Sequence, residues 1–279
     1  MPAFYRPASR NRDIAPFHVM ELMTRAKALE AEDRDIIHME VGEPDFATPD
    51  PIIRAGQAAL AAGRVHYTSA LGLPALREAI SEFYQSRYGI TVPAARIVIT
   101  AGASGALTLA LACLCEPGRA WLVSDPGYPC NRHFVRSFEG IPVAVPVGPE
   151  SNFQPTPELL AACWSERSDG LIVASPANPT GTMLASDELR ALAGFARQRQ
   201  AHLIVDEIYH GLTYEADAAT ALAGGDDLWV VQSFSKYFQM TGWRLGWLVV
   251  PEPYLRDIEK LAQNFFIAPS TPAQYAALA

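Results

Sequence analysis

Lys236 ends the run Ser233-Phe234-Ser235-Lys236, directly after an apolar stretch that reads as a strand. An ammonium in that position loses part of its hydration, which lowers its pKa and makes the amine a usable nucleophile. A lysine that snorkels back to water is the competing reading. Arg244 follows eight residues later, after Thr241-Gly242-Trp243. Its guanidinium could grip a phosphate with two parallel hydrogen bonds, or make an ordinary ion pair. Asp206 ends the run His202-Leu203-Ile204-Val205-Asp206, where a carboxylate could keep a pyridine nitrogen protonated or cap a helix. Strand alternation turns the next acid, Glu207, the other way, so Glu207 reads as structural. The small-residue turn 102–105 offers backbone N–H groups and a positive helix end, which suit a phosphate; glycine there can also be simple turn geometry.

The elements that must position these groups follow from the apolar pattern. Short runs at Ile97–Thr100, 121–124, 171–175, 203–206 and 228–232 alternate with helix-compatible segments. They are apolar throughout, as expected of strands covered by helices on both faces, so the chain reads as α/β with a mainly parallel sheet. A further strand at 244–250 has no clear crossover helix before it and is expected to be antiparallel. Ligands of open parallel sheets bind outside the carboxyl ends of the strands. Five such ends should therefore bring the 102–105 turn, Tyr128, Asn178, Asp206 with Tyr209, and Lys236 to one crevice.

Upstream, residues 1–15 read as an irregular arm. A helix is expected from about Pro16, with Val19, Leu22, Met23 and Ala26 at helical spacing. The apolar stretch 36–39 leads into a turn at 41–46. A second helix follows Pro51, and a third, Pro74–Tyr88, has Leu76, Ile80, Phe83 and Tyr84 on one face. Trp243 and Trp247 are expected to face the core, His210 to be a solvated helix histidine, and His66 to serve in interface packing.

The formal charge of −8, from 30 acidic and 22 basic residues, argues against nucleic acid or an anionic membrane as the main partner. The four cysteines, Cys113, Cys115, Cys130 and Cys163, form no C-x-x-C pair. They read as buried free thiols in a reducing compartment rather than as metal ligands or disulfides. No apolar leader and no spanning stretch is evident, so a soluble cytoplasmic protein is the expectation.

From about Pro16 to the last residue the chain resembles the class I/II aminotransferases, fold-type-I enzymes that use pyridoxal 5'-phosphate (PLP). The stretch 233–236 followed by Met240-Thr241-Gly242-Trp243-Arg244-Leu245-Gly246 is similar to the family's lysine signature. Ser175-Pro176-Ala177-Asn178-Pro179-Thr180-Gly181 and Val205-Asp206-Glu207-Ile208-Tyr209 resemble its two other signatures, in the same order and spacing. The resemblance implies a three-layer α/β/α large domain over 47–279. It also implies that residues 1–46 contribute part of a small domain and of the substrate pocket.

The resemblance further implies that Lys236 holds PLP as a Schiff base and then moves a proton, with Asp206 pairing with the pyridinium nitrogen. Asn178 and Tyr209 would donate to the phenolic oxygen, and Tyr128 would stack on the ring. Ala103, Ser104, Ser233, Ser235 and Arg244 would hold the phosphate. Gly42 and Asn178 would meet the substrate, and Tyr67 would reach the phosphate of a neighbouring subunit in a homodimer. Family members usually continue for about a hundred residues beyond the point where this chain stops, into a small domain that carries the arginine for the substrate carboxylate. A fragment or truncated form is therefore expected. The implied activity is transfer of an amino group from an amino acid to a 2-oxo acid. A C–S β-lyase and a non-catalytic PLP-binding dimer module are the alternatives.

Overall fold

Seven runs rich in branched and aromatic residues pair into one sheet: Ile97–Thr100 (β1), Ala120–Asp125 (β2), Ile141–Pro146 (β3), Ser168–Ala174 (β4), His202–Asp206 (β5), Trp229–Ser233 (β6) and Gly246–Val249 (β7). The strand order is β1-β7-β6-β5-β4-β2-β3. The ladders β2–β3, β2–β4, β4–β5 and β5–β6 are parallel, while β7 runs antiparallel to both β1 and β6. Six strands therefore point the same way, and the strand expected to be antiparallel is the one that opposes them. The computed structural model describes residues 6–279; the first five residues of the expected arm lie outside the described residues.

The central strands are apolar throughout because both of their faces are covered. Leu171, Val173, Leu203, Val205 and Val230 belong to one buried cluster with Leu76, Ile80 and Tyr84 of α3 (Pro74–Tyr88) and Leu189 and Leu192 of α7 (Ser186–Gln198). Ile172, Ile204, Trp229 and Val231 point the other way. They pack with Leu107 and Leu111 of α4 (Gly102–Leu114) and Ile258 of α8 (Leu255–Phe265). This period-two division of one strand between two cores is the three-layer α/β/α arrangement. Each fully buried Leu, Ile or Val contributes about 1.5–3 kcal/mol of transfer free energy, so the layers clamp the strand ends that carry the chemistry.

The remaining helices are α1 (His18–Glu30), α2 (Asp50–Ala61), α5 (Cys130–Ser137), α6 (Pro157–Cys163) and α9 (Thr271–Ala277). Several expectations need correction. The strand β3 is not evident in the apolar pattern: it lies at the sheet edge, with Pro142 and Pro146 and an exposed Ile141, and proline is tolerated at such an edge. The run expected to start at Arg244 becomes a strand only at Gly246, because Arg244 has a left-handed backbone, φ 52°. Helix α1 forms where its spacing predicts, yet none of its residues is buried. No regular element forms at 36–39, where Ile37 and Met39 are exposed. The four cysteines are free but only partly buried. Trp247 is buried, whereas Trp243 is half-buried with its Nε1 donating to Thr48 Oγ1 at 3.1 Å. Among the described residues no helix is long and apolar enough to cross a membrane, and no cluster of His, Cys, Asp and Glu could hold a metal ion.

Candidate functional site

The strand ends open on a cavity of about 590 Å³, within the size range of small-molecule sites. Asp206 is the last residue of β5 and is buried, its Oδ1 accepting from Ile208 N at 3.0 Å. Among the described residues no cation neutralises it, and burial raises its pKa to about 6. An isolated buried carboxylate is costly, so Asp206 favours a ligand that brings a proton or a positive charge.

The loop after β4 brings Asn178 beside Tyr209 from the turn after β5, with Asn178 Nδ2 donating to the Tyr209 hydroxyl at 3.2 Å. Burial raises the pKa of Tyr209 and, further along the cavity wall, that of Tyr128, so both phenols stay protonated and able to donate. Tyr128 follows β2 and meets the edge of Phe17, with ring centroids 6.0 Å apart and planes at 81°.

A second polar group gathers where β6 ends. Ser235 N donates to Ser233 Oγ at 3.1 Å, and the two hydroxyls are 2.9 Å apart. Arg244 donates to Ser235 Oγ at 3.3 Å and to Thr241 O at 2.9 Å. Among the described residues no carboxylate pairs with Arg244, and all its protein acceptors are neutral. The start of α4, with Ala103 and Ser104, lines the same cavity. Two glycines permit this approach. A Cβ on Gly102, whose φ is +69°, would lie 2.6 Å from Arg244 Nη2; one on Gly246 would lie 2.8 Å from the Gly102 carbonyl carbon. A guanidinium, two hydroxyls and the unpaired N–H groups of a helix start together form an anion cradle.

Lys236 is half-buried in the same cavity. Burial lowers its pKa, Glu43 acts in the opposite direction, and Arg244 adds to the lowering. Its Nζ donates to the Gly42 carbonyl oxygen and lies 5.8 Å from the Tyr209 ring centre. Lys236 is thus closer to a free amine than a surface lysine would be.

Ala103, Ser104, Tyr128, Asn178, Asp206, Tyr209, Ser233, Ser235, Lys236, Arg244 and Gly42 all line this one cavity. Tyr67 does not: its side chain is exposed. Glu43 and Thr241 were not singled out by the sequence, although they flank two residues that were. Thr241 Oγ1 donates to Glu43 Oε1, which ties the loop before Arg244 to the loop beside Lys236. Phe17, on the edge of Tyr128, was expected only as part of a segment near the substrate pocket. His210 is a correction: it is buried, not solvated, because Tyr88 and Ser175 occupy both of its ring nitrogens.

The donor set fits PLP. Arg244, the serines and the α4 start offer charge and hydrogen bonds to a phosphate, Asp206 offers a buried acid to a pyridine nitrogen, and Lys236 offers an amine to an aldehyde.

Comparison with known proteins bears on the same residues. The family model described as aminotransferase class I and II matches residues 34–279. A valine–pyruvate aminotransferase of Mycobacterium tuberculosis is 40% identical over 267 residues, spanning 95% of this chain and 69% of that protein. A (5-formylfuran-3-yl)methyl phosphate transaminase of Methanocaldococcus jannaschii is 37% identical, spanning 94% of this chain and 68% of that protein. Among solved structures, an aminotransferase from Mycobacterium tuberculosis superposes with a TM-score of 0.94 at 40% identity, covering 99% of this chain and 71% of that one. An aspartate aminotransferase from Thermus thermophilus gives 0.93 at 30% identity, covering 99% and 72%.

Proposed function

The chain belongs to the class I and II aminotransferases, and from that premise we propose that it moves an amino group from an amino acid to a 2-oxo acid with PLP held at the strand ends. One observation carries the reading. Among the described residues a single cavity holds a buried acid without a cation, an arginine without a carboxylate, and a partly desolvated lysine.

When bound, PLP supplies an electron sink for the charge left at the substrate Cα once its proton departs. The protein's own groups do the rest. Arg244, Ser233, Ser235 and the backbone of Ala103 and Ser104 bind the phosphate, and Tyr128 stacks on the ring. Asp206 holds a proton at the pyridine nitrogen. Its raised pKa means that a positive partner is needed to make its charge favourable. Asn178 and Tyr209, already in hydrogen-bond contact, donate to the phenolic oxygen. Lys236 would hold the cofactor through its amine, and the same amine would move a proton at the substrate Cα. The depressed proton affinity of its amine suits both roles. The Gly42 backbone and Asn178 contact the substrate.

Residues 1–46 are proposed to contribute to a small domain beside the large PLP-binding unit, 47–279. Two copies are proposed to form a dimer in which the exposed Tyr67 reaches the partner's phosphate; that exposure supports the reading. Four unpaired cysteines support a reducing compartment, the cytoplasm.

The test is amino-group transfer by the purified chain with PLP, using a panel of amino acids and 2-oxo acids and detecting the new amino acid by mass. Transfer that disappears in Lys236→Ala is expected. No transfer across the panel would overturn the reading. Pyruvate and ammonia released from cystathionine without an acceptor would replace it with a C–S lyase.

A further inference from the structure

Behind the cavity lies a buried polar group that the mechanism above does not use. His210 lies in the turn that follows β5, with its N–H donating to Glu207 O at 2.9 Å. Its Nδ1 is 2.8 Å from the Tyr88 hydroxyl on α3, and its Nε2 is 3.0 Å from the carbonyl oxygen of Ser175. Burial raises the pKa of Tyr88, so its hydroxyl keeps its proton and donates. Nδ1 must then accept, Nε2 must carry the ring proton, and that proton is given to Ser175. Only one tautomer satisfies both neighbours.

Glu207 completes the group. It is fully buried, and its Oε1 accepts from Thr220 Oγ1 at 3.0 Å and from Ala221 N at 2.6 Å. Among the described residues its Oε2 has no hydrogen-bond partner, and it lies 3.6 Å from His210 Nδ1. That separation is too long for a hydrogen bond. Burial favours the neutral forms of both groups, raising the Glu207 pKa to about 8 and lowering that of His210 to about 4. The pair is therefore neutral, which leaves Asp206 as the charged one of the two adjacent carboxyls.

Ser175 is the point on which this geometry acts. Its N–H donates to Asp206 O at 3.0 Å, its Oγ accepts from Leu184 N at 2.9 Å, and its carbonyl takes the His210 proton. Three bonds thus pin the start of the loop that presents Asn178, while the residue preceding His210 is Tyr209. We propose that His210, held by Tyr88, is a positioning residue that fixes Asn178 and Tyr209 relative to each other and so sets the proton affinity of the bound cofactor. The proposal rests on the PLP reading above.

The test compares His210→Leu, His210→Gln and Tyr88→Phe with the unaltered chain. The readouts are PLP affinity of the apo protein, the pKa of the visible absorbance band, and thermal unfolding. His210→Leu leaves the buried Ser175 carbonyl and the half-buried Tyr88 hydroxyl without their partner and is expected to weaken PLP binding about tenfold. It should also raise the band pKa, because a loosened Asn178–Tyr209 pair withdraws less charge from the phenolic oxygen. His210→Gln, whose amide can still donate to Ser175, recovers most of both losses. Tyr88→Phe shifts the band in the same direction by less.

A band pKa that does not move in cooperatively unfolding Tyr88→Phe overturns the proposal, even where His210→Leu fails to fold. A folded His210→Leu with a lower melting temperature but an unmoved band, or a Gln variant no better than Leu, also overturns it. An unaltered chain without a PLP band overturns the functional reading and this proposal together. A normal band in the unaltered chain with unmoved variants overturns this proposal alone.

Discussion

Helices α1 and α3 carry the same kind of apolar spacing, and only one of them is packed. In α3, Leu76, Ile80 and Tyr84 are buried against the sheet; in α1 none of the 13 residues is buried, and Leu22 is 58% exposed. The contrast extends to the cavity. The side proposed to hold the cofactor is built on β4, β5 and β6, clamped between two cores, whereas the side near Phe17, Val19 and Gly42 is built on a segment with no buried residue of its own. Spacing sets where a helix forms, but burial needs a facing surface. The groups proposed to bind the cofactor sit on the rigid side, where preorganisation is worth most.

The largest expected effect on this contrast is at Asp206. Asp206→Asn removes the carboxylate proposed to hold a proton on the ring nitrogen, and transfer should fall by about 10²–10⁴-fold in steady-state assays. Next, Leu111→Ala in the core beneath the sheet should cost about 2–5 kcal/mol in denaturant unfolding, since Leu111 is completely buried.

Asp206 also makes a prediction of the opposite sign for the apo protein. Its folded pKa, about 6, lies above the 3.8 of an unperturbed Asp. Between those values the folded chain keeps a proton that the unfolded chain releases, so this residue's contribution falls as pH rises from about 4 to 6 and stays low above that. Asp206→Asn should therefore be more stable than the unaltered apo protein at pH 7, by roughly 3 kcal/mol, and its melting temperature should vary less across that window. A carboxylate that destabilises the empty site yet is needed for transfer is the expected signature of a functional acid.

A smaller loss is expected at Arg244→Ala, which removes the guanidinium proposed to hold the phosphate and should weaken PLP binding by about 1.5–3 kcal/mol, read by titration of the apo protein. The smallest is at α1, where Leu22→Ser should change unfolding free energy by less than about 0.5 kcal/mol. A large loss there would mean that α1 is packed in solution, and the contrast between the two sides would collapse.

The packed side of this contrast was legible in the sequence, the exposed side was not, and the reasons are physical. The central strands announced themselves because burial on both faces leaves uninterrupted apolar runs, and the carboxyl-end rule then placed Asp206, Asn178 and Lys236 in one crevice. Glu207 was read as turned away from the site, and it is indeed tied to Thr220 and Ala221. Strand β3 was missed because an edge strand half open to water, with two prolines, gives no such run. His210 was misplaced because its partners, Tyr88 and Ser175, are 122 and 35 residues away, and neither spacing nor residue type signals contacts at that distance. The exposure of α1 was equally invisible, since spacing reports what a helix could bury and not what faces it.

The central claim is that Lys236 is the residue that binds PLP covalently. Borohydride reduction of the PLP-loaded protein, followed by peptide mapping, tests it directly. The expected result is loss of the visible band and a single reduced pyridoxyl adduct on Lys236, absent from Lys236→Ala. An adduct on another lysine, or none at all, would contradict it.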